Sequence, residues 1–196
     1  MNLRKYGWLF YTTLGIGGLG GMLAGFLVGR NELFSGTINN MLMGTLTNLL
    51  LGILISVLSQ MGFFAYMTFN YLGLSFFGKN LSAWKSIQLF FILFAFFDMV
   101  YLRYSLGTRG DTFLPYFVEP VLLLFVSLIV MYAKVKQTNS QAAIPTLFFM
   151  FVVTILEWIP GLKQDNIYSI QFMIVPLLFC NVWQVMQLHR LTKKQS

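Results

Sequence analysis

The stretch GIGGLGGMLAG, residues 15–25, contains two glycine spacings that predict different folds. Read from Gly15, it includes G-x-G-x-x-G, the spacing of the phosphate-binding turn in dinucleotide-binding domains. That motif needs a preceding strand and a following helix within a soluble βαβ unit. Here the glycines lie inside a segment without charged residues from Tyr6 to Gly29. Because about 20 apolar residues suffice for a helix to cross a bilayer, the context argues against a nucleotide-binding enzyme.

The second spacing fits a membrane helix. Gly17, Gly21, Gly25 and Gly29 recur every four residues and would form one face almost without side chains. Small residues let helices in lipid approach closely, so we expect a helix-packing stripe. Its partner could be another helix of this chain, a second copy in a homo-oligomer, or a different membrane protein. The alternative is that glycine is merely tolerated in membrane helices.

Composition places the chain among integral membrane proteins. Of its 196 residues, 57% are hydrophobic and only 10% are charged, whereas soluble domains are about 25% charged. The single Cys180 excludes an intramolecular disulfide and a multi-cysteine metal site, and the single His189 excludes a histidine cluster. We therefore expect no cofactor and no metal. The first apolar segment is too long for the core of a signal peptide and is predicted to be retained.

The pattern predicts an all-α bundle of about six transmembrane helices in one polytopic domain, residues 1–196. The predicted helices span approximately residues 6–29, 41–72, 86–104, 116–132, 143–159 and 167–188. The connections are too short to hold a catalytic domain.

The charged residues between these segments predict the orientation, because cytoplasmic loops are enriched in Lys and Arg. One side carries cations and no acid: Arg4, Lys5, Lys79, Lys85, Lys134, Lys136, Arg190, Lys193 and Lys194. The other side mixes both signs: Arg30, Arg103, Arg109, Lys163, Glu32, Asp111 and Asp165. Both termini are therefore predicted to be cytoplasmic. The net charge of +7 follows from this topology and does not indicate nucleic-acid binding.

The remaining acids are candidates for a functional site, since ionisable residues inside a membrane are costly. Asp98, Glu119 and Glu157 fall in the outer half of three different helices, and Arg103 could join them in one polar layer. Arg103 is five positions after Asp98, a poor helical spacing for a pair, so Glu119 or Glu157 is its better partner. The layer is either a structural set of ion pairs or a site that senses a ligand, an ion or protons.

Amides and hydroxyls also interrupt the second and sixth helices, at Ser59 and Gln60 and at Asn181 and Gln184. Asn181 and Gln184 are three apart and share a helix face, which is typical of interhelical hydrogen bonds. No serine, histidine and acid lie on one side of the membrane, so we predict no covalent catalysis.

Several ordered motifs resemble one family along nearly the whole chain. They are SQMGFFAY (59–66), FDMVYLRY (97–104), KQTNSQAAIPTLFFM (136–150), EWIP (157–160) and CNVWQVMQLHRL (180–191). Together they resemble the KbaA family, the KinB-signalling pathway activation proteins of sporulating bacilli.

The resemblance implies a multi-pass protein of the bacterial cell membrane that the histidine kinase KinB needs in order to feed the sporulation phosphorelay. Its partners would then be a KinB-like kinase and the lipid bilayer. The residues alone leave two other classes open: a small transporter or ligand-binding channel that uses the acidic layer, and an intramembrane lipid-modifying enzyme.

Overall fold

The computed structural model describes residues 3–28, 38–78, 80–106, 114–164 and 166–192. These residues are helical almost throughout, and no strand occurs among them. Six of the helices are long and apolar enough to cross a membrane. The prediction of an all-α chain with six such helices is therefore confirmed for this part of the chain.

The six helices are numbered in chain order. Their bounds are α1, Leu3–Val28; α2, Ile38–Phe77; α3, Leu81–Ser105; α4, Leu114–Gln137; α5, Ser140–Leu162; and α6, Ile167–Thr192. Most extend several residues beyond the predicted segments. Hydropathy marks only the apolar part of a helix, whereas backbone hydrogen bonding continues into its polar ends.

Two of the helices are irregular. Helix α4 opens with a 3₁₀ turn at Leu114–Phe117. Helix α5 begins with a 3₁₀ turn at Ser140–Ala142 and contains a π-helical turn at Phe149–Val153. Such π turns are rare and occur often at functional sites.

The junction between α2 and α3 follows local rules. Gly78 has φ of 54° and its N–H donates to the Leu74 carbonyl at 3.0 Å, which is a glycine end of a helix. The side chain of Asn80 then accepts from the Ala83 N–H at 3.2 Å and caps α3.

The described residues form two compact units. The first comprises the described residues up to Gly62 and those from Glu157 onward. Helices α1 and α6 pack along each other in this unit. Trp183 donates its indole N–H to Thr12 at 3.1 Å, and its ring lies 5.9 Å from that of Trp8. At Gly20, an added Cβ would lie 2.9 Å from the Cα of Pro176, so glycine permits this helix contact.

The second unit runs from Phe63 to Leu156 and has an aromatic core. Tyr66 lies 5.1 Å from Phe149, centroid to centroid, and donates its hydroxyl proton to the Pro145 carbonyl at 3.0 Å. Trp84 donates its indole N–H to the side-chain oxygen of Asn70, also at 3.0 Å. The polar atoms of these aromatic side chains therefore have hydrogen-bond partners inside the core.

Candidate functional site

A buried carboxyl group is the central feature of the first unit. Glu157 lies in the last part of α5 and is only 5% exposed. Its Oε2 accepts a hydrogen bond from the Nδ2 of Asn181 on α6 at 2.6 Å. Asn181 is fully buried. A short bond between a carboxyl oxygen and a buried amide fixes the position of both side chains.

The hydrogen bonding continues from α6 to α2. The Oδ1 of Asn181 accepts from the hydroxyl of Ser59 at 2.7 Å, and the same hydroxyl lies 3.4 Å from the Oε1 of Gln184. All three side chains have zero exposure. We call Glu157, Asn181, Ser59 and Gln184 the Glu157 cluster. It joins α2, α5 and α6 through polar groups inside the first unit.

Gly62 makes room for this carboxyl. It follows Ser59 by three positions and so lies on the same side of α2. A Cβ added at Gly62 would overlap the Oε1 of Glu157. Glycine is therefore needed here for a close approach between a side chain and a helix backbone.

The cluster contains polar atoms without partners. Among the described residues, the Oε1 of Glu157 and the Nε2 of Gln184 are buried and have no hydrogen-bond partner. Nor does a Lys, Arg or His of the described ranges lie within ion-pair distance of Glu157. A buried polar atom that lacks a partner costs about 1–3 kcal/mol, so the arrangement calls for a chemical explanation.

Arg103 and Glu119 form an ion pair within the second unit. The Nε of Arg103 lies 3.0 Å from the Oε2 of Glu119, and the two side chains are 1% and 12% exposed. Arg103 is in the last turn of α3, and Glu119 is in the first α-helical turn of α4, directly after its opening 3₁₀ turn. A cation at a helix C-terminus and an anion at a helix N-terminus both oppose the helix dipoles favourably.

The four residues predicted for one polar layer thus lie in three different environments. Arg103 and Glu119 meet, Glu157 has amide and hydroxyl neighbours in the first unit, and Asp98 is exposed on α3. A single layer that contains all four stays a prediction.

The glycine stripe packs against α2 of the same chain. A Cβ at Gly21 would lie 2.7 Å from the Cα of Gly52, and one at Gly17 would lie 2.7 Å from the Gly52 carbonyl oxygen. At Gly25 an added Cβ would overlap the side chain of Asn48. These three stripe glycines are buried, and their face is turned to α2. Gly29 lies outside the described residues.

The first unit also contains a cleft of about 540 Å³. It is lined by parts of α1, α2, α5 and α6, and its polar side chains are uncharged: Asn40, Thr47, Asn48, Gln164, Tyr168 and Ser169. Its volume is within the range of pockets for small molecules.

Sequence reasoning identified part of the cluster. It named Glu157 as a candidate, and it placed Asn181 and Gln184 on one helix face. It did not join them, because spacing along a helix does not tell which helix lies opposite. Gly62 was missed, since a glycine next to an apolar run gives no sign that a side chain occupies the position of its Cβ.

Comparisons with known proteins agree on one family. A family model named KbaA and described as KinB-signalling pathway activation in sporulation matches residues 17–191. A protein of Bacillus subtilis (strain 168), the KinB-signaling pathway activation protein, is 38% identical over 140 residues, which cover 71% of this chain and 70% of that protein. No solved structure matches the chain.

Proposed function

The chain belongs to the KbaA family, and on this basis we propose that it is a non-enzymatic membrane protein that activates a KinB-like sensor histidine kinase feeding the sporulation phosphorelay. The observation that carries the proposal is the family match over residues 17–191, which includes nearly half of α1, all of α2 to α5 and nearly all of α6. We therefore assign the activity for which the family is named to the matched helices together with their short connections.

The proposal places the chain in the bacterial cell membrane as one polytopic domain, with both termini in the cytoplasm. Six apolar helices support insertion, and an even number of crossings returns the chain to the side where it began. The cations without acids, from Arg4 and Lys5 at one end to Lys193 and Lys194 at the other, support a cytoplasmic position for both ends.

The proposal of a non-enzymatic role is supported by the chemistry of the Glu157 cluster. The hydroxyl of Ser59 donates its hydrogen bond to the side-chain oxygen of Asn181. An amide oxygen cannot act as the base that a serine nucleophile needs. The cluster is suited to holding helices in one arrangement, and α1 to α6 would then act by contact with membrane helices of the kinase.

A second candidate function is a ligand-binding channel or small transporter. The cleft of about 540 Å³ in the first unit favours it, because uncharged polar side chains among apolar ones suit a neutral amphipathic molecule. The kinase-activating role has the stronger support, since it also accounts for the family match.

The experiment that tests the proposed function is deletion of the gene, with sporulation timing and kinase output measured. We expect delayed sporulation and low kinase output, and both should recover when the wild-type gene is restored. Co-purification of the tagged chain with the kinase from solubilised membranes would then identify the partner. Normal kinase output in the deletion strain would contradict the proposal.

A further inference from the structure

The carboxyl of Glu157 lacks the positive charge that an ionised group would need. It is 5% exposed within a helix bundle, and no cation of the described residues pairs with it. An unpaired charge in such a site costs far more than one hydrogen bond returns, so buried acids are either paired or neutral. The neighbours of Glu157 decide between these two states.

Those neighbours supply one hydrogen-bond donor and no charge. Asn181 donates to Oε2 of the carboxyl, while its own oxygen accepts the hydroxyl proton of Ser59. Ser59 has only one proton, and the 2.7 Å distance to Asn181 assigns it there, not to Gln184 at 3.4 Å. From α2 and α6, therefore, only polar neutral groups face the acid.

Among the described residues of this unit, the thiol of Cys180 on α6 also interacts electrostatically with Glu157. Its sulfur is buried and lies 3.7 Å from the backbone carbonyl oxygen of Thr13 on α1, to which it donates. A thiol that keeps its proton in this bond adds no charge to the cluster.

We infer that the Glu157 cluster is a proton-binding site, in which Glu157 is held as the neutral acid with its proton on Oε1. Oε2 is then the carbonyl oxygen that Asn181 recognises, and Oε1 is the hydroxyl oxygen next to the α2 backbone at Gly62. A proton adds almost no volume, which suits a carboxyl packed this closely. The cleft of the first unit does not include Glu157 among its lining residues.

Release of the proton would change the packing of the first unit. The resulting charge on Oε1 would face the α2 backbone without a counter-ion, so the side chain would have to leave Gly62 or draw in water. Withdrawal of the side chain would break the bond to Asn181, and entry of water at Oε1 would separate the carboxyl from the α2 backbone, so either change loosens the packing around α2. This inference goes beyond kinase activation and does not depend on it.

Infrared spectroscopy of the purified full-length chain in lipid nanodiscs tests the site directly, without any kinase. We expect the carbonyl band of a protonated acid at neutral pH in the wild-type chain. The band should be lost in Glu157→Gln and retained in Asp98→Asn, which removes an exposed acid as a matched control. Absence of a protonated-acid band at neutral pH in the wild-type chain would overturn the inference.

A second variant keeps the test decisive if Glu157→Gln does not accumulate. Asn181→Ala retains the acid but removes the hydrogen bond to its carbonyl oxygen. Because such a bond lowers the carbonyl stretching frequency, we expect the band to move to higher frequency in this variant. A band that stays at its wild-type frequency would belong to another acid and would overturn the assignment.

Thermal unfolding at different pH values measures how proton binding by Glu157 is coupled to the stability of the fold. An unfolded chain releases a Glu proton above about pH 4.3, whereas the packed site retains it. The unfolded state therefore gains stability as pH rises, and the melting temperature of the wild-type chain should fall relative to that of Glu157→Gln. A difference between the two chains that stays constant from pH 4 to pH 8 would contradict a bound proton.

Discussion

At the scale of single residues, two carboxyl groups of this chain are held by specific partners. The carboxyl group of Glu157 accepts a hydrogen bond from Asn181, and that of Glu119 accepts one from Arg103. In both cases, removal of one partner leaves a buried polar atom whose water shell cannot be restored. These contacts are therefore the places where a single substitution should have a large effect.

Asn181→Ala should destabilise the first unit. The change removes the donor to the Glu157 carboxyl and the acceptor of the Ser59 proton, so about 1–3 kcal/mol of unfolding free energy should be lost. Thermal or denaturant unfolding of the purified chain measures this. Gln171→Ala is the matched control, because Gln171 is an exposed amide on the same helix. Equal losses in the two variants would mean that the cluster contributes nothing specific.

Arg103→Gln should strand the carboxylate of Glu119, because Arg103 is 1% exposed and its Nε lies 3.0 Å from that carboxylate. Breaking one side of a buried ion pair costs roughly 3–5 kcal/mol, so we expect a clear loss of stable protein in the membrane. Adding Glu119→Gln should recover much of this loss, since no unpaired charge then remains. Lys163→Gln, which removes an exposed cation, is the control.

The Arg103–Glu119 ion pair has only a structural role if the double variant regains wild-type stability and also supports kinase output. If the double variant regains stability but not kinase output, the two charges themselves are needed for kinase activation. A single variant Arg103→Gln as stable as the Lys163→Gln control would contradict the ion-pair account.

At the scale of helices, the crossing of α1 and α2 depends on glycine. Gly17 and Gly21 on α1 meet Gly52 on α2 at backbone distance. Without a hydrophobic driving force between helices in lipid, such close packing and the contacts it permits hold the pair together.

Gly21→Leu should disrupt this crossing, because even a Cβ at that position would lie 2.7 Å from the Gly52 Cα. Overpacking of this kind costs about 1–3 kcal/mol, so the protein level in membranes and the melting temperature should both fall. Gly15→Leu is a control with the same added volume, since nothing lies within 4 Å of a Cβ there. If Gly21→Leu and Gly15→Leu behaved alike, the stripe would be tolerated glycine and not a packing face.

Hydropathy was enough to predict the number and type of the helices, because each apolar run must bury its backbone polar groups in a helix if it crosses lipid. It could not predict the π-helical turn at Phe149–Val153 or the full length of α2, Ile38–Phe77. At 1.5 Å per residue, α2 is about 60 Å long, twice the hydrocarbon thickness. The length of α2 depends on packing and on the helix end at Gly78, which a count of apolar residues cannot predict.

The site was predictable only in part for a related reason. Charge in an apolar segment identified Arg103, Glu119 and Glu157, since such residues are rare in membrane helices. Which of these residues meet depends on which helices are neighbours. A buried acid can also find its hydrogen-bond partner in an amide instead of a cation. Sequence reasoning left Glu119 and Glu157 as alternative partners of Arg103. The structure pairs Arg103 with Glu119 and places Asn181 beside Glu157.

At the scale of the whole molecule, the distribution of Lys and Arg predicts the topology. The prediction is checked with reporter fusions at Ser196 and near Arg109. A reporter active only in the cytoplasm should work at Ser196 and fail near Arg109, and one active only outside should do the reverse. External activity at Ser196 would contradict the proposed orientation and the assignment of the cationic loops to the cytoplasm.

We propose that this chain raises the activity of a KinB-like kinase without catalysing a reaction itself. The most direct measurement is the phosphorylated fraction of that kinase in cells with and without the chain, at equal kinase abundance. We predict a low phosphorylated fraction without the chain, restored by the wild-type chain and by Gly15→Leu, but not by Gly21→Leu. An equal phosphorylated fraction with and without the chain would contradict the account.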